Sequence, residues 1–385
     1  MSRIAFFCIP AWGHTNPTVE VVRTLVRQGH QVCYYSFAPF REKLEDAGAE
    51  VFLCDAFLPP PPKDLDKKVG KDFPTLVEMA ADTTLALENK VCRELTEFRT
   101  EVIVSDSVCF WGKLFAWKLG IPYVCSTTTF AFNLHTARLM KPEPGEMVRM
   151  ILGGARVERK LAVLRKHGYP VEKMTDLIQN DNETDTIVYT SKAFQPMAET
   201  FSQRYAFVGP SLPEIPKREE KERPLVYVSM GTVVQGKPSF YRRCAEALGG
   251  MDVDTVLSVG TEENLAALGS LPENVRAAVR VDQLAVLAQA DAFLTHCGMN
   301  SASEAIWCGV PTVLYPQQSE EGAVADRMEE LNLGLRLKNE RHIREAITNV
   351  LAEPAYRERI CAIGETFRTA GGAQRAAEKI LECIR

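Results

Sequence analysis

Apolar residues follow two alternating rhythms along the first half of the chain. Positions 4–9 form a continuous apolar run, as expected of a parallel strand buried on both faces. Over 17–28, Val19, Val22, Leu25 and Val26 recur at a helical period, and Gly29 stops it. The same alternation predicts strands over 31–37, 51–53, 102–104, 123–126 and 186–190. It predicts helices over 39–47, 73–98 and 110–119. Two segments break the rhythm: a proline-rich loop at 58–62, and a polar, helix-patterned insertion at 127–182 that is expected to lie outside the sheet.

Residues 209–224 carry four prolines and the charged run Lys217–Arg223, which marks an exposed, semi-stiff boundary. Beyond it the rhythm restarts. Strands are predicted over 225–229, 254–259, 292–295 and 312–315. Helices are predicted over 239–248, 284–288, 301–308, 323–331, 342–351, 355–367 and 373–384. Repeated strand–helix alternation implies right-handed crossovers and parallel sheets. The expected class is therefore α/β, with two doubly wound, Rossmann-like domains facing a cleft. The boundaries are residues 1–210, a linker at 211–223, and residues 224–385, with the last helix able to pack back on the first domain.

Length agrees with two domains, since 385 residues exceed what one core of about 250–300 residues sustains. The net charge of −5 argues against a nucleic-acid partner, and no apolar run reaches the ~18 residues of a membrane span. The short apolar start at 4–12 lacks a small-residue cleavage site and reads as a buried strand. Eleven cysteines with no Cys-x-x-Cys pair fit neither a zinc site nor a disulfide framework. They read as small hydrophobes in a reducing, cytoplasmic compartment.

In open sheets of this kind ligands bind beyond the carboxyl ends of strands, so chemistry is sought at strand-to-helix turns. The first turn, Pro10–Pro17, lacks the Gly-x-Gly-x-x-Gly of a dinucleotide site and offers His14. An imidazole there suits a general base, or it merely caps the turn. Asp106, at the end of the 102–104 strand, is either its carboxylate partner or the N-cap of the next helix. In the second half, Ser229, Gly231 and Thr232 can offer amides and hydroxyls to a phosphate. His296, Gly298, Asn300 and Ser301 follow a strand and open a helix, the makings of an anion site. Glu304 can close a capping box with Ser301 or accept hydrogen bonds from ribose hydroxyls. Glu320 and Glu321 supply carboxylates at a further strand end, suited to sugar hydroxyls.

This set resembles the UDP-sugar-dependent glycosyltransferases of the GT-B fold (glycosyltransferase family 1), in particular the bacterial macrolide-glycosyltransferase type. The resemblance spans essentially the whole chain. It rests on Gly13-His14-x-x-Pro17, Ser229-x-Gly231-Thr232, Gln283, His296-x-Gly298-x-Asn300-Ser301-x-x-Glu304, Gly309-Val310-Pro311 and Pro316 followed by Glu320. It implies His14 as catalytic base with Asp106 as its partner. Ser229 and Thr232 would meet the diphosphate. His296, Asn300 and Ser301 would hold the phosphates, Glu304 the ribose and Glu320 the donor sugar, while Gln283 would read the uracil edge. Relatives often place Trp where Arg280 stands, Pro where Asp282 stands, and Gln where Glu321 stands. A guanidinium at 280 can still stack on a base, and Glu321 puts the donor sugar's identity in question.

The expected function is inverting transfer of a hexose, expected to be glucose, from a UDP-sugar to a hydroxyl of a small apolar natural product. UDP-sugar is a co-substrate; no cofactor, metal or stable membrane insertion is expected, and the chain should be a monomer or weak homodimer. Trp12, Phe110, Trp111, Phe130 and Phe132 could line an acceptor site for a flavonoid, macrolide or terpenoid-like aglycone, or be ordinary core. Two other classes share the architecture: a UDP-sugar epimerase, and a non-catalytic UDP-sugar-binding protein.

Overall fold

The computed structural model describes residues 1–58, 72–133, 135–136, 144–178, 182–231 and 237–384. The proline-rich loop at 59–62 and Thr232 lie outside these residues. The chain divides into two compact units, Met1–Leu212 with Ala370–Arg385, and Pro213–Thr369.

Unit 1 is built on a seven-stranded sheet in the order β3-β2-β1-β4-β5-β6-β7, parallel throughout. The strands are β1 (Arg3–Phe7), β2 (Gln31–Ser36), β3 (Glu50–Leu53), β4 (Val102–Asp106), β5 (Tyr123–Thr127), β6 (Asp185–Val188) and β7 (Tyr205–Phe207). Its helices are α1 (Trp12–Arg27), α2 (Arg41–Asp46), α3 (Phe73–Phe98), α4 (Phe110–Leu119), α5 (Pro144–Lys166) and α6 (Met174–Ile178). The apolar β1 and β4 are buried along almost their whole length, as strands covered by helices on both faces must be.

Helix α1 begins five residues earlier than its apolar period suggests. Pro17 lies inside it, where its missing N–H would otherwise serve the Gly13 carbonyl. Tertiary contacts hold the added turn: Thr15 donates to Cys8 Sγ at 3.6 Å, and the Thr18 hydroxyl lies 2.9 Å from Tyr34 OH on β2. His14 is consequently the third residue of a helix, in contrast to the loop position expected from the sequence.

Helix α4 presses on the sheet through Gly112. A Cβ there would stand 2.2 Å from Ser105 Oγ and 2.8 Å from the Phe7 Cβ, on the two strands that carry the site. We expect Gly112→Ala to force α4 off the sheet and cost about 2–3 kcal/mol. A lowered urea midpoint would register this; an unchanged midpoint would show that the contact yields freely.

Unit 2 has six parallel strands in the order β10-β9-β8-β11-β12-β13. They are β8 (Leu225–Ser229), β9 (Asp254–Ser258), β10 (Val275–Ala278), β11 (Ala292–Thr295), β12 (Thr312–Leu314) and β13 (Gly334–Arg336). The helices are α7 (Pro238–Leu248), α8 (Glu262–Ala266), α9 (Gln283–Gln289), α10 (Met299–Cys308), α11 (Ser319–Glu330), α12 (Ile343–Ala352) and α13 (Pro354–Arg368). The charged run before β8 is exposed but fastened to this unit. Asp291 receives Arg218, Lys221 at 2.6 Å and the Leu225 amide at 2.8 Å. Burial alone would raise the Asp291 carboxyl; these donors hold it below its usual range.

The final helix, α14 (Gly372–Glu382), returns to unit 1. Ala376, Ala377 and Ile380 join that unit's core. Buried Lys379 reaches Asp185 Oδ1 on β6 at 2.6 Å. Among the described residues no helix is long and apolar enough to cross a membrane.

Candidate active site

Each sheet reverses its strand order once: between β1 and β4 in unit 1, and between β8 and β11 in unit 2. At such a point the connections leave in opposite directions and open a crevice at the carboxyl ends of the strands. His14 and Asp106 fall at the first of these places, and Ser229 and His296 at the second.

In unit 1, β1 delivers His14 on the first turn of α1, and β4 ends in Asp106. His14 Nδ1 lies 2.7 Å from Asp106 Oδ2. The other carboxylate oxygen accepts the Val108 amide at 3.0 Å. The Asp106 side chain is only 1% exposed, whereas His14 is 21% exposed. An ionised carboxylate cannot donate, so Nδ1 carries the proton and the ring's lone pair is on Nε2. Thr128, just past β5, sets its Oγ1 3.1 Å from the same Nδ1. In the sequence only the run Thr127-Thr128-Thr129 at a strand end marks it.

In unit 2, β8 and β11 bring Ser229 and His296 together. Burial pushes the His296 imidazole down to about 4, and a hydrogen bond to the Ser229 backbone pulls the other way by less. His296 is therefore neutral at pH 7. Among the described residues its buried Nδ1 has no hydrogen-bond partner. Two glycines make room for the ring: a Cβ on Gly231 or Gly298 would stand 2.4 or 2.5 Å from its Nε2. Gly231 also adopts φ +76°, which disfavours any other residue. Cys297 takes φ +69° as a non-glycine, a local strain that concentrates at functional turns. Its thiol is pushed up by burial, so it packs rather than reacts.

Gly298 is the N-cap of α10 and supplies no side-chain cap to the helix. The start of α10, Met299-Asn300-Ser301, thus presents amides at its positive end. Glu304 lies one turn on. It accepts from Gln283 Nε2 at 2.6 Å, and the same amide reaches Ser301 Oγ at 3.2 Å. Tyr227 OH donates to Gln283 Oε1 at 3.2 Å. Tyr227 reads in the sequence as an ordinary strand residue, and nothing there distinguishes it.

The remaining predicted residues divide. Ser229 Oγ accepts the Gly231 amide at 3.3 Å. Arg280 is exposed between β10 and α9. Glu320 is exposed on the first turn of α11, while Glu321 is buried and caps that helix. Glu321 Oε2 accepts the amides of Gln317 and Gln318 at 2.7 and 3.1 Å. Burial raises its carboxyl despite those bonds. Phe110 and Trp111 are buried in the unit 1 core, the ordinary-core side of the two readings the sequence left open. The apolar first turn of α4 has to cover the sheet. Phe130 is buried against Phe194 at 5.4 Å. Trp12 is half-buried against Phe40, and Phe132 is 42% exposed.

Two open parallel sheets with polar groups at both switch points define a GT-B type of architecture, and comparison with known proteins narrows it. A family profile described as the C-terminal domain of erythromycin biosynthesis protein CIII-like proteins matches residues 242–380. The chain is 32% identical to the NDP-glycosyltransferase YjiC of Bacillus subtilis, over 98% of this chain and 96% of that one. It is 32% identical to the demethyllactenocin mycarosyltransferase of Streptomyces fradiae, over 99% of this chain and 86% of that one. Its fold superposes on the crystal structure of the kitacinnamycin glycosyltransferase with a TM-score of 0.84 and 26% identity, covering 99% and 98% of the two chains. The chain belongs to the macrolide-type GT-B glycosyltransferases of family 1, and is a glycosyltransferase of the natural-product type. Neither the epimerase nor the non-catalytic reading finds support among these relatives.

Proposed function

We propose that this glycosyltransferase moves a hexose, glucose by preference, from a UDP-sugar to a hydroxyl of a small apolar acceptor with inversion. The observation that carries the reading is the 2.7 Å His14–Asp106 contact with its buried carboxylate. His14 Nε2 takes the acceptor's proton as the acceptor oxygen bonds to the anomeric carbon. The bond from that carbon to the diphosphate oxygen breaks, and its electron pair leaves with UDP. Asp106 steadies the imidazolium so formed. The developing diphosphate charge meets the α10 N-terminus, Asn300 and Ser301, beside a His296 that is neutral and adds no charge of its own. Glu304 takes the ribose and Glu320 the donor sugar.

An apolar acceptor fits the surface of the insertion. Met147, Val148, Met150, Ile151 and Leu152 on α5, together with Phe132, are exposed apolar side chains. Clustered exposure of this kind marks a surface that meets an apolar partner. Eleven unpaired cysteines, seven of them buried, fit a cytoplasmic enzyme.

Incubating the protein with a mixed acceptor library and UDP-glucose, UDP-galactose or UDP-N-acetylglucosamine tests the reading by mass spectrometry and NMR. The expected product is a β-glucoside from the α-configured donor, formed at the same rate after exhaustive chelation. Retained configuration, a strict magnesium requirement, or donor turnover without transfer would each contradict it.

A further inference from the structure

Resemblance assigns Gln283 to the uracil edge, but its amide is already committed. It offers two N–H donors and one carbonyl. The donors go to Glu304 Oε2 at 2.6 Å and Ser301 Oγ at 3.2 Å. The carbonyl accepts from Tyr227 OH at 3.2 Å. The carboxylate settles which end of the amide faces it, since an ionised Glu304 can only accept. Tyr227 is a fixed donor: burial raises its phenol to about 12, and its ring stacks on Phe293 of β11 at 4.8 Å. Ser301 and Glu304, three apart on α10, share the helix face that Gln283 spans.

We propose that Gln283 is a positioning residue that holds the Glu304 carboxylate for the ribose hydroxyls, with Tyr227 anchoring it from β8, and that it does not read the base. This rests on the reading of Glu304 as the ribose contact. A carboxylate on a flexible side chain loses orientation entropy when it grips a diol. Held by Gln283, it has lost that freedom before the nucleotide arrives. The relay therefore governs discrimination at the sugar of the nucleotide and leaves the base to other groups.

Calorimetric titration with UDP, 2′-deoxy-UDP and CDP separates the possibilities without any acceptor. The intact protein should prefer UDP over 2′-deoxy-UDP by about tenfold, the worth of one charge-assisted hydrogen bond. In Gln283→Leu that preference should fall to within about twofold of unity, while the preference of UDP over CDP stays as it was. Tyr227→Phe, which keeps the ring stack, should fall between the two and carries the test if Gln283→Leu fails to fold. A Gln283→Leu protein that keeps the 2′-hydroxyl preference, or that loses the UDP-over-CDP preference instead, overturns the positioning role. An intact protein that binds UDP and 2′-deoxy-UDP equally overturns the ribose reading of Glu304, a failure visible before any variant is made.

Discussion

His14→Ala should lower kcat for transfer to an ordinary alcohol about 10³-fold, with UDP affinity within about twofold of the parent. The alcohol's proton is held too tightly to leave unaided as the new bond forms, and His14 Nε2 is the atom proposed to take it. The groups proposed to hold UDP all lie on unit 2, so removing an imidazole from α1 leaves binding alone. The acceptor supplies an internal control. A phenol acidic enough to be ionised at the assay pH needs no base, so the variant should regain most of its rate with it. A variant that keeps most of its rate with an unactivated alcohol would remove His14 from the chemistry.

Much of this arrangement was legible in the apolar pattern, and the parts that were not have physical reasons. Most strands that the pattern finds are central or near-central and buried, such as β1, β4, β8 and β11; β3, at one edge of its sheet, is the exception. The three it misses, β7, β10 and β13, are all sheet edges. An edge strand is paired on one side and partly exposed, so it lacks a continuous apolar run. The start of α1 was misplaced because Pro17 is a local breaker, while what holds the first turn is tertiary: Thr15 on Cys8 and Thr18 on Tyr34. The pairing of His14 with Asp106, and the place of His296 at a strand end, could be anticipated from residue type and position. Tyr227 could not, and Thr128 had only a threonine run to mark it, because their contacts depend on which strands become neighbours. Glu321 shows the converse. A carboxylate next to a sugar-binding position invites a functional reading, but at the third residue of α11 the helix itself uses it as a cap.

The two switch points also separate the work. In the proposed reaction unit 1 would contribute the proton acceptor, and unit 2 the amides and hydroxyls that meet the diphosphate. Binding an anionic donor therefore needs no basic protein, which reconciles the net charge of −5 with a nucleotide-sugar substrate. Because His296 is held near 4, its proton is absent at pH 7, and unit 2 gains stability from the neutral ring only above the unfolded value of about 6.5. As pH falls from there toward 4 the unfolded chain takes up the proton first, and that stability is lost.

Asp106→Asn is the sharper test of the pair, because it changes one atom. The Val108 amide, 3.0 Å from Oδ1, requires an acceptor at that position. In the variant the carboxamide oxygen must stay there, which turns the NH₂ toward His14 Nδ1. That nitrogen then has to accept, and the ring proton moves to Nε2, the atom that should be taking the acceptor's proton. The imidazole remains in place as the wrong tautomer, and no negative charge awaits the imidazolium. The expected loss in kcat is again on the order of 10³-fold, with KM for the donor and the thermal midpoint near the parent's. Since both residues act as one device, His14→Ala combined with Asp106→Asn should be no slower than His14→Ala alone. Multiplying losses in the double variant would mean that Asp106 acts on the reaction by a route other than His14. A Asp106→Asn enzyme of nearly full rate would mean that Thr128, 3.1 Å from the same nitrogen, suffices to hold the base in its working tautomer.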